Sequence, residues 1–297
     1  MTAGHTTGIH NQGDRLLKLC SYVLPDGVES YGCLEGETIV DAGPGLHGTH
    51  PDLRSLIAAD ALRHLASADG PTLAESDVAM LPTIPNPGKI ICIGLNYMGH
   101  IRETGRDRPE YPSIFTRYPS SIVGHGAALV RPKVSDHFDF EGEFAVVIGK
   151  AGRHVPRASA FDHVAGYTCF NDGSIRDYQR HTTQFWGGKN FWRSGSMGPC
   201  LVTPDDLGDP TKPRMVTRLN GDIMQDTSVG DLAFDIPDLI AYLSTIIDLA
   251  PGDVIATGTP SGVGLFRDPK VFMKPGDVIE VEIDGIGTLS NPITDET

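Results

Sequence analysis

Short apolar runs, each cut off by Gly, Pro, Asn or Asp, recur along most of this chain and predict strands. Residues 16–23, 31–33 and 38–40 form such runs around a Pro25-Asp26-Gly27 turn and a Glu35-Gly36 turn. Further runs lie at 89–95, 138–149, 164–170, 278–283 and 288–289. Residues 217–225 read as a hairpin about Asn220-Gly221-Asp222. Helical spacing of apolar positions predicts helices over 52–68 and 235–247, with Pro51 and Pro237 at their starts. Shorter helices are expected after Asn96, ended by Gly105, at 158–162, and from Ser174 to His181. Residues 106–133 read as a long loop with a short strand near 114–121, and loops of that length are often lids or binding loops. Pro82, Pro85, Pro87 and Gly88 interrupt any regular element. The expected division is a small N-terminal domain over 1–82 and a larger one over 83–297.

The stretch at 138–149 breaks the ordinary pattern. Its second half is apolar and β-branched, but its first half alternates acids with Phe or Gly. On a continuous strand Asp139, Glu141 and Glu143 share one face, opposite Phe140, Gly142 and Phe144. Same-face neighbours stand roughly 7 Å apart, so Glu141 and Glu143 can bend onto one ion. Without a cation or a proton their repulsion beside a core strand is costly. Carboxylate ligation favours Mg²⁺, Mn²⁺ or Ca²⁺ over zinc. Taken alone, a Glu-Gly-Glu tripeptide on a strand is usually a solvated face, and the rest of the chain must decide.

Other candidates gather around that stretch. His100 and Glu103 face the same way at i and i+3 of a short helix, which suits a general base and its orienting carboxylate, or a surface ion pair. Asp172 ends the strand 164–170 in Asn171-Asp172-Gly173, as a third oxygen ligand or as turn chemistry. Arg117 and Tyr118 lie in the long loop, where they could meet a carboxylated substrate or simply be solvated. Arg176 and Gln179 share a helix face, and Lys189 sits among glycines between Trp186 and Trp192, either snorkelling or functional. The strand at 251–257 runs into a glycine-rich loop, 258–264, whose amides and threonine hydroxyls could hold an anion. That loop is neither a P-loop nor a dinucleotide fingerprint, and no Gly-x-Ser-x-Gly elbow occurs.

Composition narrows the classes. The 297 residues suffice for a sizeable core, and a formal net charge of −14 argues against nucleic acid or an anionic membrane as partner. An anionic substrate would have to be drawn in locally. Cys20, Cys33, Cys92, Cys169 and Cys200 form no Cys-x-x-Cys pair, residues 1–10 are polar, and no run is long enough to cross a bilayer. A cytoplasmic protein with reduced thiols is expected.

Several motifs in one order complete the reading. Gly94-Leu95-Asn96-Tyr97 with His100 and Glu103, Asp139-Phe140-Glu141-Gly142-Glu143, Asn171-Asp172, Arg176-Asp177 with Gln179, and Gly188-Lys189-Asn190-Phe191 come first. Asn220-Gly221, the run Pro251 to Pro260, Gly262-Val263-Gly264 and Lys274-Pro275-Gly276-Asp277 follow. Over residues 89–291 the chain thereby resembles the fumarylacetoacetate hydrolase family, in its acylpyruvase and 2-hydroxyhepta-2,4-diene-1,7-dioate isomerase-like branch. The resemblance implies an α+β, β-rich fold: a rolled, mixed and mostly antiparallel sheet as catalytic domain, usually in a homodimer. It implies a divalent metal, Mg²⁺ or Mn²⁺ with Ca²⁺ as an alternative, held by Glu141, Glu143 and Asp172. Lys189 would stand close by, Gln179 and Thr259 would face the substrate, and His100 with Glu103 would form a dyad on a mobile segment. The chain departs from its relatives at Arg117, where lysine is common, and at Gly173, where a bulkier residue is.

The expected reaction is metal-dependent hydrolysis of a carbon–carbon bond in a β-diketo acid of the acylpyruvate type, in the breakdown of aromatic compounds or sugar acids. His100 would activate water, and the metal with Lys189 would stabilise the departing enolate. An isomerase, tautomerase or decarboxylase on the same metal site is the alternative. A non-catalytic metal- or ligand-binding relative is a third reading.

Overall fold

The computed structural model describes residues 16–297, so the polar segment 1–10 lies outside the described residues. The strands in chain order are β1 (Lys18–Val23), β2 (Glu29–Glu35), β3 (Thr38–Asp41), β4 (Thr72–Ala74), β5 (Ala79–Met80), β6 (Ile90–Gly94) and β7 (Ser113–Arg117). Then come β8 (Ile122–Val123), β9 (Leu129–Arg131), β10 (Phe138–Asp139), β11 (Gly142–Ile148), β12 (Val164–Asn171) and β13 (Ser174–Ile175). The last six are β14 (Gly195–Val202), β15 (Arg214–Leu219), β16 (Asp222–Ser228), β17 (Val254–Ala256), β18 (Val278–Ile283) and β19 (Gly287–Asp295).

One large sheet runs β4-β3-β2-β1-β14-β12-β11-β17-β6-β7, with β5 on β1 and β8 on β14. A five-stranded sheet runs β16-β15-β18-β19-β9, and β10 pairs β13. Most pairs are antiparallel; β17 with β6, β14 with β8 and β19 with β9 are parallel. Through Lys18↔Val202 and Leu19↔Leu201 the N-terminal strands extend the same sheet as the acid-bearing ones.

β11 is apolar without interruption because both of its faces are covered. Phe144, Val146 and Ile148 enter a core shared with Met215, Val281 and Ile283 of the second sheet and with Leu239, Ile240 and Leu243 of helix Ile236–Ile246. Ala145 and Val147 enter a second core, under Leu53, Leu56 and Ile57 of helix Leu53–Ala58. Its position between β12 and β17 makes it a central strand.

Three expectations need correction. The helix read over 52–68 is two pieces, Leu53–Ala58 and a 3-10 turn Leu62–Ser67, because Asp60 takes a left-handed conformation (φ 53°) between them. The acid row is not one strand: the ladder breaks at Phe140 and Glu141. Side chains take over there. Phe140 N donates to Asp139 Oδ1, Glu141 N to Asn171 Oδ1 (3.1 Å) and Gly142 N to Gln225 Oε1 (2.9 Å), so the break leaves these amides satisfied. Finally, β14 was not foreseen. Gly195, Gly198 and Pro199 disguise it, yet all eight of its residues are buried between β12 and β1.

Candidate active site

Asp172 reaches Glu141 through strand register. Gly142 pairs with Asn171 across β11 and β12, and Asp172 N donates to Glu141 O (2.8 Å). One carboxylate oxygen from each of Glu141, Glu143 and Asp172 then lies within 4.8 Å of the others, and all three residues are buried. Among the described residues no other group of His, Cys, Asp and Glu is gathered this way.

Cations surround the trio. Lys189 Nζ donates to Glu141 Oε2 (2.8 Å) and Asp172 Oδ2 (2.6 Å), with its charge over the Phe115 ring. Arg176 bridges Asp139 Oδ2 (2.8 Å) and Glu141 Oε1 (2.5 Å). Arg117 donates to Asp172 Oδ1 (2.6 Å), Gly173 O (2.9 Å) and Ser194 Oγ (2.7 Å). Burial opposes ionisation of Glu141, but Lys189 and Arg176 outweigh it and hold the carboxyl down to about 2. Burial also works against the Lys189 charge, which Asp172 and Glu141 nevertheless keep in place by raising its pKa.

Glu143 is the exception. Burial, then the charges of Asp172 and Glu141, push it well above the usual carboxylate range, against the pull of the Lys189 charge and the Gly258 amide (2.9 Å). Four buried carboxylates thus face three buried cations, with the surplus on Glu143. A divalent cation among Glu141, Glu143 and Asp172 would cancel that surplus, and an all-carboxylate donor set suits a hard ion. The residues fit such a group.

The general-base candidate stands across the cavity. In helix Met98–Glu103, His100 Nδ1 and Glu103 Oε2 are 2.8 Å apart, and Gly262 N donates to Glu103 Oε1 (2.9 Å). With Nδ1–H donated to the carboxylate, Nε2 carries the lone pair. The loop after β17 that could have held an anion instead binds the protein's own acids. Gly258 N serves Glu143, Gly262 N serves Glu103, and Gly264 N and Leu265 N serve Asp139 (2.8 and 2.9 Å). Left-handed φ angles at Gly258 (106°) and Gly262 (101°) let the loop turn these amides inward, and a Cβ at Gly262 would meet Met224 O at 2.3 Å.

A cavity of about 290 Å³ joins His100, Glu141, Glu143, Arg176, Gln179, Lys189 and Thr259. Larger hollows of about 670 and 690 Å³ lie elsewhere, beside His125 and beside Lys150, without the acid trio. Gln179 Oε1 accepts from Arg176 (3.0 Å), and the Thr259 hydroxyl donates to Gly142 O (2.9 Å). Arg117 and Tyr118 do not line the cavity: the first is buried behind Asp172, and the second is exposed, edge-on to Trp186. Asp139 lies outside the trio, taken up by Arg176 and the loop amides. Sequence reasoning missed Arg106, Phe115, Arg180, Phe185 and Phe266 in the lining, since nothing in their spacing marks them. It also missed the linking role of Gln225, which accepts from Gly142 N and donates to Thr259 Oγ1 (2.8 Å) and Pro260 O (3.0 Å).

Comparison with known proteins adds chemistry to this geometry. The family model described as fumarylacetoacetate (FAA) hydrolase C-terminal matches residues 89–294. Oxaloacetate tautomerase YisK of Bacillus subtilis (strain 168) is 46% identical over 222 residues, 73% of this chain and 74% of its own length. The human mitochondrial oxaloacetate tautomerase FAHD2A is 41% identical over 233 residues, 78% and 74% of the two chains. Among solved structures, the fumarylacetoacetate hydrolase of Exiguobacterium antarcticum superposes with a TM-score of 0.82 at 33% identity, covering 94% of this chain and all of the other. Maleylpyruvate hydrolase of Sphingobium sp. SYK-6, in complex with manganese(II) and pyruvate, gives 0.79 at 28%, covering 95% and 100%. The tautomerase relatives overturn the expectation of carbon–carbon hydrolysis and support the alternative, an isomerase or tautomerase.

Proposed function

The chain belongs to the fumarylacetoacetate hydrolase family, and from that premise we propose that it is an enzyme interconverting the keto and enol forms of a small 2-oxo dicarboxylic acid, oxaloacetate first among them. What carries the reading is one cavity lined by His100, Glu141, Glu143 and Lys189, with Glu103 bonded to the histidine and Asp172 completing the acid trio behind, in a chain whose relatives are named oxaloacetate tautomerases.

Glu141, Glu143 and Asp172 would hold Mg²⁺ or Mn²⁺, which when bound supplies Lewis acidity toward the oxygens of an oxo acid. Tautomerisation breaks a C–H bond next to a carbonyl and forms an O–H bond, with no water consumed. His100 Nε2 takes the proton from carbon and returns it to the enol oxygen, or runs the reverse. Glu103, pinned by Gly262, fixes the imidazole tautomer for both directions. Lys189, buried and held charged against Glu141 and Asp172, favours the developing enolate through its positive charge. Phe115, Phe185, Leu265 and Phe266 line the cavity with apolar surface that limits bulk water, so the proton returns to substrate.

The test follows the enol absorbance of oxaloacetate with chelator-stripped protein, then with Mg²⁺ or Mn²⁺, while products are weighed by mass spectrometry. Metal-dependent equilibration with mass conserved is expected. His100→Ala should slow it by about 10²–10⁴-fold, the usual contribution of a general base, with metal binding by calorimetry retained. Release of pyruvate in step with the absorbance change, or no metal-dependent change, overturns the proposal.

A further inference from the structure

Four cationic side chains line the 290 Å³ cavity, and they fall into two kinds. Arg176 and Lys189 are buried and committed to Asp139, Glu141 and Asp172. Arg106 and Arg180 are exposed, and neither guanidinium has a hydrogen-bond or ion-pair partner among the described residues. They come from separate elements whose backbones are fixed. Arg106 N donates to Ile101 O (3.2 Å) at the end of helix Met98–Glu103, after Gly105 has turned the chain (φ 72°). Arg180 N donates to Asp177 O (3.1 Å) at the end of helix Arg176–Gln179. In a chain of net charge −14, two uncompensated guanidiniums at the rim of one small cavity stand out.

We infer that Arg106 and Arg180 read the second, distal carboxylate of the substrate and so select four-carbon 2-oxo diacids over monoacids. The inference rests on the proposed site, where the first carboxylate and the oxo group lie toward the acid trio and Lys189. Among the described residues the other charged side chains of the lining, Glu141, Glu143, Arg176 and Lys189, are buried, which leaves the exposed arginines to the far end of the molecule. A planar guanidinium binds a carboxylate by parallel N–H donors, giving direction as well as charge. The cavity, about 290 Å³, lies at the small end of the range for ligand pockets, which suits a short diacid.

The experiment titrates Mn²⁺-loaded protein calorimetrically with malate and with lactate, 2-hydroxy acids that differ by the distal carboxylate and that carry no carbonyl to enolise. The wild type should bind malate at least about tenfold more tightly, as expected for charge-assisted hydrogen bonds. In Arg106→Gln/Arg180→Gln the ratio of the two affinities should fall toward one, and Arg180→Lys should keep part of it. A wild-type ratio near one, or a double variant that keeps the wild-type ratio or loses both ligands equally, overturns the inference. If oxaloacetate is not interconverted while the malate preference stands, the tautomerase reading fails and the distal-carboxylate site survives.

Discussion

Asp41 and Asp172 are both buried acids at a strand end, and the molecule treats them in opposite ways. Asp41 accepts from the hydroxyls of Tyr22 (2.8 Å) and Ser30 (2.6 Å) and from Gly43 N (3.1 Å), all neutral donors from the same N-terminal strands and the turn beside them. Burial, with Asp41 alongside, pushes the Tyr22 phenol up and keeps it a donor. Asp172 instead sits with Glu141 and Glu143, and the trio draws Lys189 and Arg176 from the stretch after β12 and Arg117 from β7. A lone buried carboxylate is satisfied by neutral hydrogen bonds and is structural. Three together exceed what such donors can stabilise, and the remaining charge marks a place built for a cation.

Breaking each cluster should therefore have different consequences. Glu141→Gln removes a ligand charge while keeping its shape; turnover of oxaloacetate should fall by about a thousandfold or more, since a metal contributes several kcal/mol to such a step, and calorimetry should show Mn²⁺ affinity falling with it. Retained metal binding and turnover would separate the trio from the chemistry. Asp41→Ala leaves three donors unsatisfied and should cost about 2–4 kcal/mol of stability in denaturant unfolding, with kcat/KM of the folded protein unchanged. A loss of activity without a loss of stability would join the two clusters that the structure keeps apart.

The smallest effect is the most diagnostic. In chelator-stripped protein the raised pKa of Glu143 means that folding favours its protonated form. That contribution is complete below the ordinary glutamate range and is lost as pH rises through the raised folded value. Glu141, held down to about 2, contributes in the opposite sense; its stabilisation is present above the ordinary range and is lost as pH falls toward 2. Above the ordinary glutamate range, and up to the raised folded value, Glu143 alone of the two sets a slope, so metal-free stability should fall with rising pH there by up to about 1.4 kcal/mol per unit. Mn²⁺ binds the deprotonated carboxylate and should abolish or reverse the slope. Thermal unfolding from about pH 5 upward with and without Mn²⁺ measures it; the same slope in both would show that Glu143 is not a ligand.

Much of the fold was legible along the chain because it rests on local patterns. The apolar run of β11, the Asn220-Gly221 turn between β15 and β16, and the spacing that puts His100 beside Glu103 all act within a few residues. Helix 52–68 failed as one piece because a single left-handed Asp60 outweighs periodicity, and β14 escaped because Gly and Pro hide a strand whose burial comes from its neighbours. The glycine-rich loop was legible as an amide-presenting turn, but its ligands were not: Glu103 is 159 residues from Gly262 and Asp139 is 125 from Gly264.

By itself, then, the sequence determined which short segments are strands and helices, where acids and a histidine stand on them, and that several motifs occur in one order. Only the tertiary structure decided that Asp139 leaves the acid row for Arg176, that Arg117 supports Asp172 from behind rather than facing the cavity, and that Arg106 and Arg180, without partners among the described residues, stand at its rim. The reason is physical. Local geometry follows from backbone sterics within one element, whereas the charge state of a buried group depends on what lies within a few ångströms of it, and here those neighbours come from residues far apart in sequence.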